Sequence, residues 1–114
     1  MNPTKYLIKD LKNKQVPFDV WLQGTVKHTA DDNIIISDPT GLVRVSGCEV
    51  KDTTIGDYCC VLGVAVSISD VPVIKAAKFF KISLTHQNSW ESEVQEAQLL
   101  LKGQITPKLW TTGI

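Results

Sequence analysis

The residues able to carry covalent or acid–base chemistry are few and badly spaced for it. Histidine occurs twice, at His28 and His86, and neither lies in a recognisable nucleophile motif or beside a Ser or Cys with an orienting carboxylate. His28 ends a strand and His86 lies in the linker to the last helix, so each reads as a solvated loop histidine. The three cysteines are Cys48 and the adjacent pair Cys59-Cys60. An odd count without CxxC spacing suits neither a disulfide framework nor a zinc site, and a reducing compartment, cytosol or nucleus, fits best. Asp31, Asp32 and Asp38 are the nearest thing to a cation site, but loop aspartates mostly cap turns and solvate. No GxxxxGK[ST], GxGxxG or HExxH string occurs. Catalysis, a bound metal and a cofactor are therefore all unexpected.

Charge removes another class. Twelve Lys+Arg balance twelve Asp+Glu in 114 residues, and Arg44 is the only arginine. No long-range field steers the chain toward phosphate backbones. A 43% hydrophobic and 21% charged composition is ordinary for one globular domain of this length. Met1 to Ile8 lacks a long apolar run, and no segment approaches the roughly 18 apolar residues of a bilayer span, so neither secretion nor membrane insertion is expected.

The elements that must position these residues follow from periodicity. Thr4 to Lys14 places Tyr6, Leu7, Ile8 and Leu11 near helical spacing, which predicts a short N-terminal helix. After Pro17 the period becomes two, with Val20, Leu22, Gly24 and Val26 on one side of a first strand. Ile34-Ile35-Ile36 and Leu42 to Val45 flank Asp38-Pro39-Thr40-Gly41, a hairpin in which Asp38 caps the turn and Gly41 takes a left-handed conformation. Tyr58 to Val66, interrupted by Gly63, and Val71 to Leu84 supply a fourth and a fifth strand. Asn88 to Lys102 reads as a helix with Asn88 as cap, Glu91 completing a capping box and Gly103 as stop.

Five strands, with glycines near the middle of the first and fourth where a small barrel must coil, predict an all-β fold with flanking helices. It is a five-stranded Greek-key OB-fold barrel carrying a short N-terminal and a C-terminal helix. The domain is assigned to residues 1–103, and 104–114, with Trp110, to a C-terminal tail.

OB barrels often bind single strands by stacking bases on aromatics of the second and third strands. Neither strand holds a Phe, Tyr or Trp here. Trp21 on the first strand remains open to either use, as a stacking platform or as a structural or interface anchor. The last helix carries an apolar stripe, Trp90, Val94, Ala97 and Leu101, flanked by Glu91, Glu93 and Glu96, which would repel phosphates. Leu99 and Leu100 widen its apolar surface.

Val20-Trp21-Leu22-Gln23-Gly24, Asp38-Pro39-Thr40-Gly41, Gly56-Asp57-Tyr58 with Val61-Leu62-Gly63-Val64, Ala77-Lys78, and Trp90-Glu91-Ser92-Glu93-Val94-Gln95-Glu96 occur in that order. This string, spanning residues 4 to about 96, resembles the family of RecQ-mediated genome instability protein 2. The resemblance implies a non-catalytic nuclear subunit. It would pair, barrel to barrel, with the C-terminal OB domain of RecQ-mediated genome instability protein 1, in a RecQ helicase and topoisomerase III complex that dissolves double Holliday junctions. It also implies little or no direct DNA binding, and a bridge to the Fanconi anaemia group M translocase for which no residue here is assigned. The loop from Ser46 to Thr54 is short, and the tail has no family counterpart.

In related OB heterodimers the C-terminal helices pack across the interface. That makes Trp90 the expected central anchor, with Val94, Ala97 and Leu101 continuing the stripe, so that Trp90→Ala should lose the partner and leave the barrel folded. Lys78 is the expected charged contact beside that helix or, equally, a solvated edge lysine. The competing class is a single-strand-binding OB module of a replication or telomere complex, with Trp21, Lys27, Arg44 and Lys75 lining its groove.

Overall fold

A computed structural model describes residues 3–48, 52–101 and 103. Its strands are β1 (Thr4–Lys5), β2 (Phe18–Thr29), β3 (Asn33–Asp38), β4 (Gly41–Ser46), β5 (Tyr58–Ser67) and β6 (Val73–Lys81), followed by helix α1 (Gln87–Leu101). The strand order is β1-β2-β3-β4-β6-β5, and β2 pairs again with β5. Strands β2 to β6 thus close a five-stranded barrel with OB-fold connectivity.

β2 is long enough to serve three partners. Phe18 to Thr25 pair antiparallel with β5, Thr25 to Thr29 with β3, and Val20 and Trp21 also take the parallel β1. The period-two reading holds: Val20, Leu22 and Val26 are fully buried in the barrel with Ile34, Ile36, Val43, Val45, Val61 and Ile74.

The expected N-terminal helix is not a helix of that length. Thr4 and Lys5 extend along β2, and only Ile8–Leu11 wind, as a single 3-10 turn. The reason lies in burial and capping. Leu7 packs toward α1 while Ile8 and Leu11 enter the barrel core, so the apolar residues serve two directions rather than one helical face. The hairpin turn then captures the free amides of the winding segment. Asp38 accepts the Ile8 N–H through Oδ2 (2.8 Å) and the Thr40 N–H through Oδ1 (2.7 Å), and Thr40 Oγ1 accepts the Lys9 N–H (3.0 Å). Asp10 accepts the Leu7 N–H (2.9 Å).

The hairpin forms as read, with Asp38 opposite Gly41. Gly41, however, does not take a left-handed conformation; positive φ among the described glycines occurs at Gly47, Gly56 and Gly103. What Gly41 supplies is room, because a Cβ there would sit 3.1 Å from Ile8 Cγ2. Gly103, at φ 70°, does end α1, donating its N–H to the Leu100 carbonyl (3.1 Å). At the other end of α1, Ser83 rather than Asn88 caps. Its hydroxyl accepts the Thr85 N–H (3.3 Å), a 3-10 turn spans Leu84–His86, and winding continues into Gln87, which leaves Asn88 inside the first α turn. The tail 104–114 and Trp110 lie outside the described residues.

Candidate partner-docking surface

α1 lies on β1 and β2 and has a small core of its own. Trp90 and Val94, 3% and 1% exposed, pack against Leu7 and half-buried Trp21, separately from the barrel interior. The two indole rings are 6.2 Å apart, tilted by 36°. Lys5 places its ammonium 4.7 Å from the Trp21 ring centre and 5.9 Å from that of Trp90. The same Nζ is 3.5 Å from Glu93 Oε1, and the Gln98 side-chain amide donates to the Lys5 carbonyl (2.9 Å).

This arrangement divides the stripe read from the sequence. Trp90 and Val94 are consumed by the chain's own packing and present no free surface for a partner. Ala97 is half-buried, and Leu101, at 67% exposed, has left the barrel. Leu99 and Leu100 beside it are exposed as well. Helical spacing placed all four on one face, but the support beneath that face ends near Lys5 and Gln98. The signals for the missing half of this core were Leu7 and Trp21, large apolar residues with no place inside the barrel. Lys78 is exposed on β6, opposite Leu62, and β5 separates that strand from the β1–β2 surface under α1. The structure does not bring it beside Trp90 through strand pairing.

The residues of the competing groove are also dispersed. Trp21 is half-buried under Lys5 and against Trp90, which compete with a base for its ring. Lys27 is six residues further along β2, about 20 Å at strand rise. Arg44 is exposed on β4, where Nη1 donates to Asn33 Oδ1 (3.1 Å), and Lys75 is exposed on β6. The outward positions of β3 and β4 alternate as Asn33, Ile35, Ser37 and Leu42, Arg44, Ser46, which offer no ring to a base.

His28, His86, Asp31 and Asp32 are exposed and stand apart, while Asp38 is committed to the N-terminal turn. Among the described residues no group of three or more His, Cys, Asp or Glu is arranged to hold a metal ion. A partly open cleft of about 70 Å³ lies between the hairpin turn and α1, lined by Leu7, Asp38, Pro39, Tyr58, Trp90 and Glu91. Small-molecule sites run to roughly 300–1,000 Å³, so the cleft is too small for one.

Burial holds the thiols in the protonated form. Burial pushes Cys59 and Cys60 from the ordinary 9.0 to about 11, and it raises Cys48 as well. The Trp21 indole leans on the Cys60 sulfur, which tempers the rise without reaching hydrogen-bond geometry. Tyr58 is raised to about 12 by burial, and its hydroxyl donates to Gln23 Oε1 (3.1 Å). A raised folded-state value contributes stability that is fully present below the unfolded value and lost as pH climbs through the folded one. Stability is therefore expected to fall between pH 9 and about 11, where the unfolded thiols ionise first. Urea titrations across that range should show a shallower fall in a Cys59→Ala/Cys60→Ala double variant; an identical slope would remove the thiols as the cause. Asp57 shifts the other way, held low chiefly by the Thr54 N–H (3.0 Å to Oδ2) and also by Lys81, 3.3 Å away.

Comparison with known proteins agrees with this geometry. Solved structures with the same fold include Ten1, the telomere capping protein from Saccharomyces pombe (TM-score 0.69, 12% identical, 85% of this chain and 98% of that one). A chain of the S. pombe Stn1–Ten1 complex has a TM-score of 0.72 at 10% identity, covering 86% and 93%. A chain of yeast RPA bound to single-stranded DNA has 0.64 at 22%, covering 92% and 96%. At such identities they speak for the OB fold alone. RecQ-mediated genome instability protein 2 of Bos taurus is 32% identical over 84 residues, covering 68% of this chain and 54% of that protein, so the chain spans about half the length of the curated relative it matches. The sequence pattern of the RecQ-mediated genome instability protein 2 family matches residues 3–98, from just before β1 to Gln98 of α1, and so stops before the exposed leucines Leu99 to Leu101. The chain belongs to that family of OB-fold genome maintenance proteins.

Proposed function

We propose that this chain is a non-catalytic, nuclear OB-fold subunit that heterodimerises with the C-terminal OB domain of RecQ-mediated genome instability protein 1. Through that partner it scaffolds a RecQ helicase and topoisomerase III in the dissolution of double Holliday junctions, with the Fanconi anaemia group M translocase as a further contact. Family membership supports the partner's class. The observation that carries the docking role is the outer end of α1. Leu99, Leu100 and Leu101 stay exposed on a helix whose inner face is already seated by Trp90 and Val94. The seated residues set the direction of the helix, and Ala97 and Leu101 lead outward to the contact. Lys78 offers an exposed charge on β6, one strand beyond β5 from the surface under α1. Trp21 is half-buried against Trp90 and Lys5 and β3–β4 carry no aromatics, which counts against the usual single-strand ligand of an OB barrel.

Co-expression with the partner's OB domain tests this reading. Leu100→Glu with Leu101→Glu is expected to weaken capture at least 30-fold, about 2 kcal/mol, as for an interface hot spot. The melting temperature should stay near that of the unmodified chain because neither side chain is buried. Unchanged capture would refute the docking face. In fluorescence anisotropy at low salt the isolated chain should leave a single-stranded oligonucleotide unbound; micromolar affinity would favour the nucleic-acid reading instead.

A further inference from the structure

Among the described residues, every side-chain hydrogen bond or ion pair from α1 to parts of the chain other than the turn that precedes it ends on one residue. Glu93 meets the Lys5 ammonium, and Gln98 donates to the Lys5 carbonyl. The remaining side-chain bonds of α1 close within the helix or onto the turn before it, as in Ser89 to Glu93 and to the His86 carbonyl, and Gln95 to Glu91. The apolar seat is no substitute for these ties. It is small and separate from the barrel core, and both of its indole N–H groups, on Trp21 and Trp90, are buried without a hydrogen-bond partner. A buried donor left unpaired weakens the state that buries it.

Lys5 is also held in a particular chemical setting. Two indole faces and a carboxylate surround its ammonium, the combination that attracts a cation in aromatic cages. Its side chain is only 26% exposed, so screening by water is less than at an open surface pair. We propose that Lys5 is the clamp of α1: its positive charge, caged by Trp21, Trp90 and Glu93, decides whether the second half of the helix stays on the barrel. The cage is thus a cation site filled by the chain's own lysine, and the second half of α1 is a unit that can part from the barrel while the barrel stays folded. Neutralising Lys5 loosens the helix beyond Val94, since Ala97 is half-buried and the residues after Gln98 are exposed.

Hydrogen exchange on the isolated 114-residue chain tests the proposal without any partner. Lys5→Met keeps the aliphatic stem and removes the charge, so amides from Gln95 to Leu101 should exchange at least tenfold faster, with β2 to β6 unchanged. Lys5→Arg should restore most of the protection, and Glu93→Gln should match Lys5→Met. A Trp110→Phe background leaves Trp21 and Trp90 as the only tryptophans, and their emission should shift to the red in Lys5→Met. Protection in Lys5→Met equal to that of the unmodified chain, or no recovery with arginine, would overturn the clamp. Faster exchange throughout the barrel would overturn the claim of a separable unit.

Discussion

Gly63→Ala is expected to abolish the folded barrel. A Cβ at this position would lie 2.2 Å from the Lys75 carbonyl oxygen and 3.0 Å from Ala76 Cα, both backbone atoms of the paired strand. β5 and β6 shift register between Leu62 and Gly63, the site where the two backbones approach most closely around the bend of the barrel. No rotamer change relieves a clash with backbone, so the cost should exceed about 4 kcal/mol, a large share of the roughly 5–15 kcal/mol that a domain has in total. Gly24→Ala, with its Cβ 2.7 Å from the Ser37 carbonyl oxygen, should act in the same direction and less severely. Gly56→Ala provides the control, because Gly56 has a positive φ of 100° but nothing within 4 Å, and only a backbone penalty of about 1 kcal/mol applies. Urea unfolding followed by far-ultraviolet circular dichroism measures all three. A Gly63→Ala midpoint close to that of Gly56→Ala would show that the strands can separate at no great cost.

Trp90→Ala should have the second largest effect, about 3–5 kcal/mol, by leaving a cavity between Leu7, Trp21 and Val94. The loss falls on the attachment of α1. Exchange protection of α1 should collapse, with the barrel strands and the 3-10 turn Ile8–Leu11 still protected because their core cluster does not include Trp90. Capture of the partner would be lost too, but for a different reason than a missing interface side chain: the helix would no longer be presented. Leu100→Glu with Leu101→Glu separates the two causes, since it removes contact surface without touching the seat. Unchanged protection of α1 in Trp90→Ala would refute its role as the seat.

The barrel was legible in the sequence because its strands obey the period-two rule and its turns carry their own chemistry. Val20, Leu22 and Val26 all point inward, and Asp38 to Gly41 make the hairpin. Two places resisted. Tyr6 to Leu11 has helical spacing, but its apolar side chains divide between the barrel core and the α1 seat, and no local pattern reveals a division set by tertiary packing. The stripe on α1 was visible, yet its spacing alone does not say which turns have barrel beneath them. Trp90 and Val94 do; Leu101 does not. The orphan apolar residues Leu7 and Trp21 held the missing information, provided each buried surface is required to find its complement. Gly41 shows a smaller gap of the same kind: the residue was identified, and its reason came from Ile8, more than thirty positions away.

The triple pairing of β2 has a temporal consequence. Phe18 to Thr25 lie opposite Tyr58 to Ala65, so β2 leaves the ribosome without its main partner until β5 has been made. At roughly 5–20 residues per second that interval is on the order of seconds. Throughout it an apolar strand edge is open to any neighbour, the condition under which extended segments aggregate. Gln23 and Gly24, set in the middle of the run from Val20 to Val26, break what would otherwise be an unbroken sticky segment. The same two residues that fit the mature barrel to Tyr58 and Ser37 thereby protect the nascent chain while it waits.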